Sequence, residues 1–497
     1  MNCALPDTLL SPFSEFIAQR LGLHFPPDRW RDLERGIRSA APDLGFGDVE
    51  DCLKWALSCQ PTAGQIEILA SHLTIGETYF YRDMRVFEVL ESDVLPRLIS
   101  ARRGAERRLK IWSAGSSTGE EAYSIAMLLH RLLPDLQSWQ ITILATDINP
   151  NFLKKAAEGV YGDWSFRSTP AWVKERYFRK REDGAFEIAA HIKKMVRFSY
   201  LNLAEDSYPS LLNDTSAVDI IFCRNVLIYF TQELKDTISR KLHRSLVEGG
   251  WLVVSPSETS HILFSQFSAV SFPGAFFYTK DGAVSNAAQA SFVSLPPETD
   301  SPRLSFPAAD TMFPDRDIPA AVLNKRTEER EMTGYEQSLA YYQAGRFSQA
   351  GETLAKYLDS RPADAEAIIL MAKTCANQGK LSEALEWCRK SIALDKLNPV
   401  FHYLLATILQ ERGEYKEAGV SLRRVLYLDQ NFVLAHFGLG NLMRLQGKHR
   451  EAKKYFENVL AILQGYGRED ELPEADGMTA GRLVEIIHST FMQEKTA

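Results

Sequence analysis

LKIWSAGSSTGEEAYSIAMLL, residues 109–129, reads as a strand, a glycine turn and a helix in immediate succession. Gly115 and Gly119 let the backbone turn tightly beneath a ligand, and residues 120–129 suit a helix. Strand, turn and helix in this order is how α/β sheets hold a nucleotide at the carboxyl ends of their strands. The next strand, ITILATD at 141–147, ends in Asp147. An acid at that place can accept both ribose hydroxyls of an adenosine. The dinucleotide pattern GxGxxG is absent, and the turn holds no lysine for a phosphate loop. Glu121, beside the turn, suits the ammonium of an amino-acid moiety better than a phosphate. Turn and acids together point to S-adenosylmethionine. Two structural alternatives stand beside this reading. Glu121 can simply favour a helix N-terminus, and Asp147 can cap the helix opened by Asn149 and Pro150.

Downstream of this stretch, VRFSY (196–200), DIIFC (219–223) and WLVV (251–254) read as further strands, with FFY (276–278) as a final edge strand. Polar groups follow the first two: Asn202, and Arg224 with Asn225. Residues 91–280 thus alternate strands with helices, and a doubly wound α/β domain is expected. Arg102, Arg103, Arg107, Arg108 and Lys110 precede the first strand and read as a solvated loop. Residues 1–90 look helical.

Downstream the texture changes. Residues 281–330 carry six prolines among Ala, Ser and Asp and read as a flexible linker. The bodies on either side are expected to be separable. From 331 to 466 a period of 34 appears: Gly345, Gly379, Gly413 and Gly447, then Ala350, Ala384, Ala418 and Ala452. Ser338, Ala372, Ala406 and Gly440 keep a small residue in the same register. This resembles four tetratricopeptide repeats, an all-α solenoid of helix pairs. Such arrays present a concave surface to a partner protein. Residues 467–497 remain as a tail.

The chain has 497 residues and a formal charge of −7, which argues against a general nucleic-acid binder. No apolar run is long enough to span a membrane, so no membrane insertion is expected. The opening MNCALPDTLLSPF lacks a basic stretch followed by an apolar core, and it is not expected to be a secretory signal. Six cysteines show no CxxC spacing and no accompanying histidine cluster. Reduced thiols in a cytoplasmic protein, without a metal site, are expected.

Four motifs then appear in order: GETYFYR (76–82), WSAGSSTGEEAYS (112–124), ATDI (145–148) and FCRNVLIYF (222–230). Together they closely resemble the CheR family, the chemotaxis-receptor glutamate methyltransferases, over roughly residues 10–280. The resemblance implies a small N-terminal helical domain (1–90), a doubly wound S-adenosylmethionine domain (91–280), and a β-subdomain near 170–200. It implies an enzyme that forms γ-glutamyl methyl esters on receptor helices and so tunes chemosensory signalling. Cofactor contacts fall on Thr78, Arg82, Glu121, Asp147, Asn202, Leu203, Arg224 and Asn225. Arg82 would meet the methionine carboxylate, Asp147 the ribose, and Asn202 and Leu203 the adenine. Tyr229 matches a tyrosine near the transferable methyl group. Many members carry Asn at the position of Gly76.

The acidic receptor bundle is the expected partner, alongside an unidentified protein for the repeats. In DRWRDLERGIRSA (28–40), Trp30, Leu33 and Ile37 share one helical face, and Arg31, Arg35 and Arg38 the opposite one. The basic face reads as the meeting point with acidic receptor helices, or as a solvated face balanced by Asp32 and Glu34. Two rival functions remain. One is a repeat scaffold whose core only senses S-adenosylmethionine. The other is a small-molecule or nucleic-acid methyltransferase, which fits the core but not the N-terminal helices.

Overall fold

The computed structural model describes residues 5–280 and 333–487, except 60, 104–105, 211–212, 469, 476–477 and 485. The proline-rich stretch 281–330 therefore lies outside the described residues. Among the described residues no helix is long and apolar enough to cross a membrane.

Among the described residues ten strands form two sheets. They are β1 (Arg108–Ala114), β2 (Gln140–Asp147), β3 (Val160–Tyr161), β4 (Phe178–Lys180), β5 (Phe186–Ile188), β6 (Val196–Tyr200), β7 (Val218–Phe222), β8 (Leu246–Val253), β9 (Ser268–Phe272) and β10 (Ala275–Thr279). The large sheet has the order β6-β2-β1-β7-β8-β10-β9. Pairings from β6 to β8 are parallel, and β10 is antiparallel to both neighbours. Every residue of β1 is buried, as expected of a central strand covered on both faces. The expected edge strand 276–278 is interior. The edge is β9, whose short alternating pattern SAVSF leaves most side chains exposed and gave little apolar signal. The small sheet, in the order β3-β5-β4, begins ahead of 170, at Val160.

Helices α1 (Asp7–Leu21), α2 (Trp30–Ala40), α3 (Val49–Ser58) and α4 (Ala63–Leu73) precede the sheet. Phe13, Ile17, Leu33, Ile37, Leu53 and Leu69 are fully buried. They belong to one apolar cluster with Leu144, Val218, Ile221 and Leu252, so the N-terminal helices continue the core on one face of the sheet. Tyr123, Met127, Ile143, Ile220 and Phe277 belong to the cluster on the other face.

Four helix pairs follow, joined at Gly345, Gly379, Gly413 and Gly447, all with φ between 72° and 75°. That left-handed conformation is what glycine permits at an inter-helix turn. Ala350, Ala384, Ala418 and Ala452 are buried where paired helices touch. A Cβ on Gly440 would lie 2.6 Å from Phe456, so the small register position is a close approach.

The array is not a separate arm. Its turns pack against the amino-terminal ends of the parallel strands. Lys110 Nζ reaches Glu411 at 2.7 Å, Arg108 reaches it at 3.7 Å, and Lys280 Nζ donates to Gly345 O at 3.2 Å. Ser382 N donates to Glu106 Oε1 at 2.7 Å. Lys110 and Arg108 are 1% and 4% exposed, which corrects their reading as a solvated loop. Arg102 likewise bridges to the fully buried Asp219 at 2.6 Å. Period and charge counting are blind to a second body covering a strand end, so the sequence shows these cations as free.

Candidate active site

The opposite, carboxyl ends of β1, β2, β6 and β7 carry a pocket. Thr78, Arg82, Glu121, Asp147, Asn202, Leu203, Arg224, Asn225 and Tyr229 all line it. Gly115, with φ +77°, makes the turn after β1. A Cβ there would lie 2.3 Å from Val226, so glycine is needed for both conformation and space.

Asp147 ends β2. Its two oxygens accept from Ser117 N at 2.8 Å and Asn149 N at 2.9 Å. The following helix, Pro150–Glu158, is capped by the side chain of Asn149, not by Asp147. Burial pushes the Asp147 carboxyl up to about 6 against the opposing pull of these amides. Glu121 accepts from Ser113 Oγ at 2.8 Å and Arg224 Nη1 at 3.0 Å. The buried Arg224 also donates to Arg82 O at 3.1 Å and pairs with Asp83. It thereby clamps segment 76–83 to the end of β7. Arg82 donates to Glu77 O at 2.7 Å. Asn202 shapes the turn after β6: its Nδ2 lies 3.3 Å from both Arg20 O and Glu205 Oε1. The buried Leu203 supplies an apolar wall.

Tyr229 is half-buried. Burial raises its phenol above the ordinary range, while the guanidiniums of Arg29 and Arg82 pull the other way. Arg29 Cζ lies 5.8 Å from the Tyr229 ring centroid and 5.3 Å from that of Phe25. Gly76 has Phe152 against it, where a Cβ would lie 2.5 Å from the ring. The ring therefore fills the space an Asn side chain would need.

Two participants escape sequence reading. Glu258 is buried, and its carboxylate accepts from the amides of Asn225 (2.7 Å), Val226 (2.8 Å), Leu227 (2.8 Å) and Ile228 (3.4 Å). One carboxylate thus holds the loop that carries Asn225 and Tyr229. Its only local signal is the SPSE capping-box pattern. Arg29 lies just ahead of α2, so helical periodicity did not include it with the basic face. It lines both the pocket and an adjoining depression formed with Phe25, Asp32, Arg35, His72 and Ile75.

The basic face itself is partly compensated. Arg35 pairs with Asp32 at 2.6 Å and Arg38 with Glu34 at 2.5 Å, while Arg31 is exposed. Arg35 alone of the three lines the depression.

The donor set suits S-adenosylmethionine. Ser116 Oγ, Ser117 Oγ, Arg224 Nε and Asn225 Oδ1 are buried with no hydrogen-bond partner among the described residues. All four residues line the pocket. Buried polar atoms are rarely left unpaired, and a ligand with hydroxyl, amino and carboxylate groups can satisfy them.

A mostly parallel sheet with a glycine turn and an acidic strand end at one pocket defines an α/β methyltransferase of the S-adenosylmethionine-binding class. The model of the "CheR methyltransferase, SAM binding domain" matches residues 76–273. Tetratricopeptide models match 341–408 and 400–432. Chemotaxis protein methyltransferase 2 of Vibrio cholerae is 33% identical over 276 residues, 56% of this chain and 94% of that protein. The chemotaxis protein methyltransferase of Borreliella burgdorferi is 29% identical over 52% of this chain and 90% of that protein. The probable biofilm formation methyltransferase WspC of Pseudomonas putida is 27% identical over 80% of this chain and 93% of that protein. That last match extends past the methyltransferase domain into the repeats. The chain belongs to the CheR family of chemotaxis protein methyltransferases.

Proposed function

We propose that this chain transfers the methyl group of S-adenosylmethionine to glutamate side chains of a chemosensory receptor in the cytoplasm, forming γ-glutamyl methyl esters. The observation that carries this reading is the meeting of the eight expected cofactor residues and Tyr229 at one pocket, where four buried polar atoms lack partners among the described residues. When bound, S-adenosylmethionine supplies a methyl group already activated on a sulfonium. In this reading Asp147 takes the ribose hydroxyls, and the Ser116–Ser117 turn and Asn225 take the remaining polar groups. Arg82 and Glu121 face the charged amino-acid end. Leu203 and Phe152 shield the apolar face.

The acceptor glutamate has an ordinary pKa of about 4.3 and is already ionised at neutral pH. No residue has to remove a proton. The task of the chain is then to orient the carboxylate and strip its water. Arg29, beside Tyr229, carries the positive charge that draws a carboxylate to the pocket mouth. Tyr229, a neutral phenol at physiological pH, contacts or orients the reacting groups. Arg35, in the adjoining depression, and the exposed Arg31 extend that positive field along α2 for an acidic receptor helix, with Arg38 behind them. The repeats recruit a further protein.

The test is transfer of labelled methyl groups from S-adenosylmethionine to receptor fragments. Label released as methanol by mild alkali is the expected result. Stable label, or none on any receptor fragment while cofactor binds, would reject the assignment.

A further inference from the structure

After the last repeat helix, which ends at Leu463, the chain doubles back. Leu472 N donates to Met478 O, Ala480 N to Asp470 O and Gly481 N to Arg468 O, each at 2.9 Å. Glu471 and Thr479 face each other as an antiparallel bridge. The segment is therefore a folded turn. Leu472, Met478, Leu483 and Ile487 are buried in the same apolar cluster as the repeat helices.

An ion pair marks where it lies on the array. Glu474, held in the left-handed region with φ 60°, pairs with Lys373 at 3.1 Å. Lys373 belongs to Ala365–Asn377, the first helix of the second repeat, whereas the segment departs from the fourth. The segment thus runs back along the array. Its far end is seated on the methyltransferase body. Arg482 Nε lies 3.1 Å from Glu205 Oε2, and its guanidinium lies 4.6 Å from the Tyr200 ring centroid.

Stacked helix pairs bind partners on an extended surface that runs along several repeats. We propose that the surface covered by residues 468–487 is the partner site of the array, and that this segment is its resident competitor. The occupant it keeps out is a peptide of like chemistry: an acidic residue flanked by unbranched or γ-branched apolar ones such as Met and Leu. The resident shows what the surface accepts, with Leu472 and Met478 in the apolar cluster and Glu474 on Lys373. A partner gains access by displacing it, so recruitment through the repeats is gated by the chain's own end. This inference rests on the array and is independent of the methyl-transfer reading.

The test uses the full chain and a fluorescent synthetic peptide of residues 468–487. The wild type should bind the peptide weakly, because its own segment fills the site. Leu472→Asp expels the segment without changing the array, and should bind about tenfold more tightly or better. Adding Lys373→Glu should abolish that gain, and a peptide carrying Glu474→Lys should restore it. Hydrogen exchange at Leu472 and Ala480 reports release, and circular dichroism reports the fold of each variant. Release without improved peptide binding would overturn the proposal, as would binding indifferent to both charge reversals. Wild-type exchange in Leu472→Asp would equally overturn it, since the segment would then not be seated through that side chain.

Discussion

Asp147 shows how one side chain links sequence, folding and ligand. Buried at the end of β2, it carries a pKa pushed up to about 6. Its folded-state pKa lies above the ordinary value of about 3.9. Ionising it therefore costs stability in the free protein as pH rises from about 4 to 6. In the proposed role the sign reverses for the ligand, because an acid that accepts two ribose hydroxyls must be ionised. We predict that S-adenosylmethionine affinity rises as pH increases through about 6 and levels off above 7. Asp147→Ala should weaken binding by about 2–3 kcal/mol, the upper part of the range for a hydrogen bond to a charged group, and should remove this pH step. Calorimetry across pH checks both. Asp147 was legible because strand, turn and acid lie in one short stretch. Arg224 was legible only as a pocket residue. Its pairing with Glu121 and Asp83 joins three distant segments, and no local pattern encodes that.

Among the elements, the sheet and repeats were largely readable, because strands covered on both faces read as short continuous apolar runs and stacked helix pairs keep a period of thirty-four. What resisted reading depends on tertiary neighbours. The edge strand β9 is short, and only Val270 and Phe272 turn an apolar face to the core, too little to announce it. The loop 225–229 was recognised by its residues, but the group that shapes it lies about thirty positions on. Asn225 sits at φ 58°, a left-handed conformation that the chain holds through the Glu258 carboxylate. Replacing that carboxylate with an amide puts an N–H₂ against backbone donors. Glu258→Gln should therefore loosen the loop and destabilise the protein by about 1–3 kcal/mol, the cost of an unsatisfied buried group. It should lower kcat/KM at least tenfold, about 1.4 kcal/mol in transition-state terms. Thermal unfolding and steady-state kinetics measure the two effects. Wild-type kinetics in a folded Glu258→Gln protein would show that the clamp does not position Tyr229.

For the whole molecule, the sequence suggested two bodies on a flexible tether, while the structure docks them through buried charge. Glu411 is pushed up to about 7 by burial despite Lys110, and Asp214 beside it is held below the usual carboxylate range because Arg197 and Lys110 outweigh its burial. Removing Glu411 leaves Arg108 and Lys110 covered, with Asp214 at 3.4 Å the countercharge that remains to Lys110. The cost is then below that of a fully uncompensated buried charge, about 3–5 kcal/mol. Glu411→Ala should separate the unfolding of array and methyltransferase in calorimetry, with the first transition about 5 °C or more below the wild type. A single unshifted transition would mean that the network does not hold the two together. The docking leaves the pocket free, because array turns and cofactor residues occupy opposite ends of the same strands. Glutamyl methylation at that pocket is tested by mass mapping of a receptor fragment after incubation with the full chain and S-adenosylmethionine. The predicted result is methyl groups on specific glutamates, removed by mild alkali, and absent when those glutamates are changed to alanine. Methylation of any other side chain, or none with cofactor bound and receptor engaged, would contradict it.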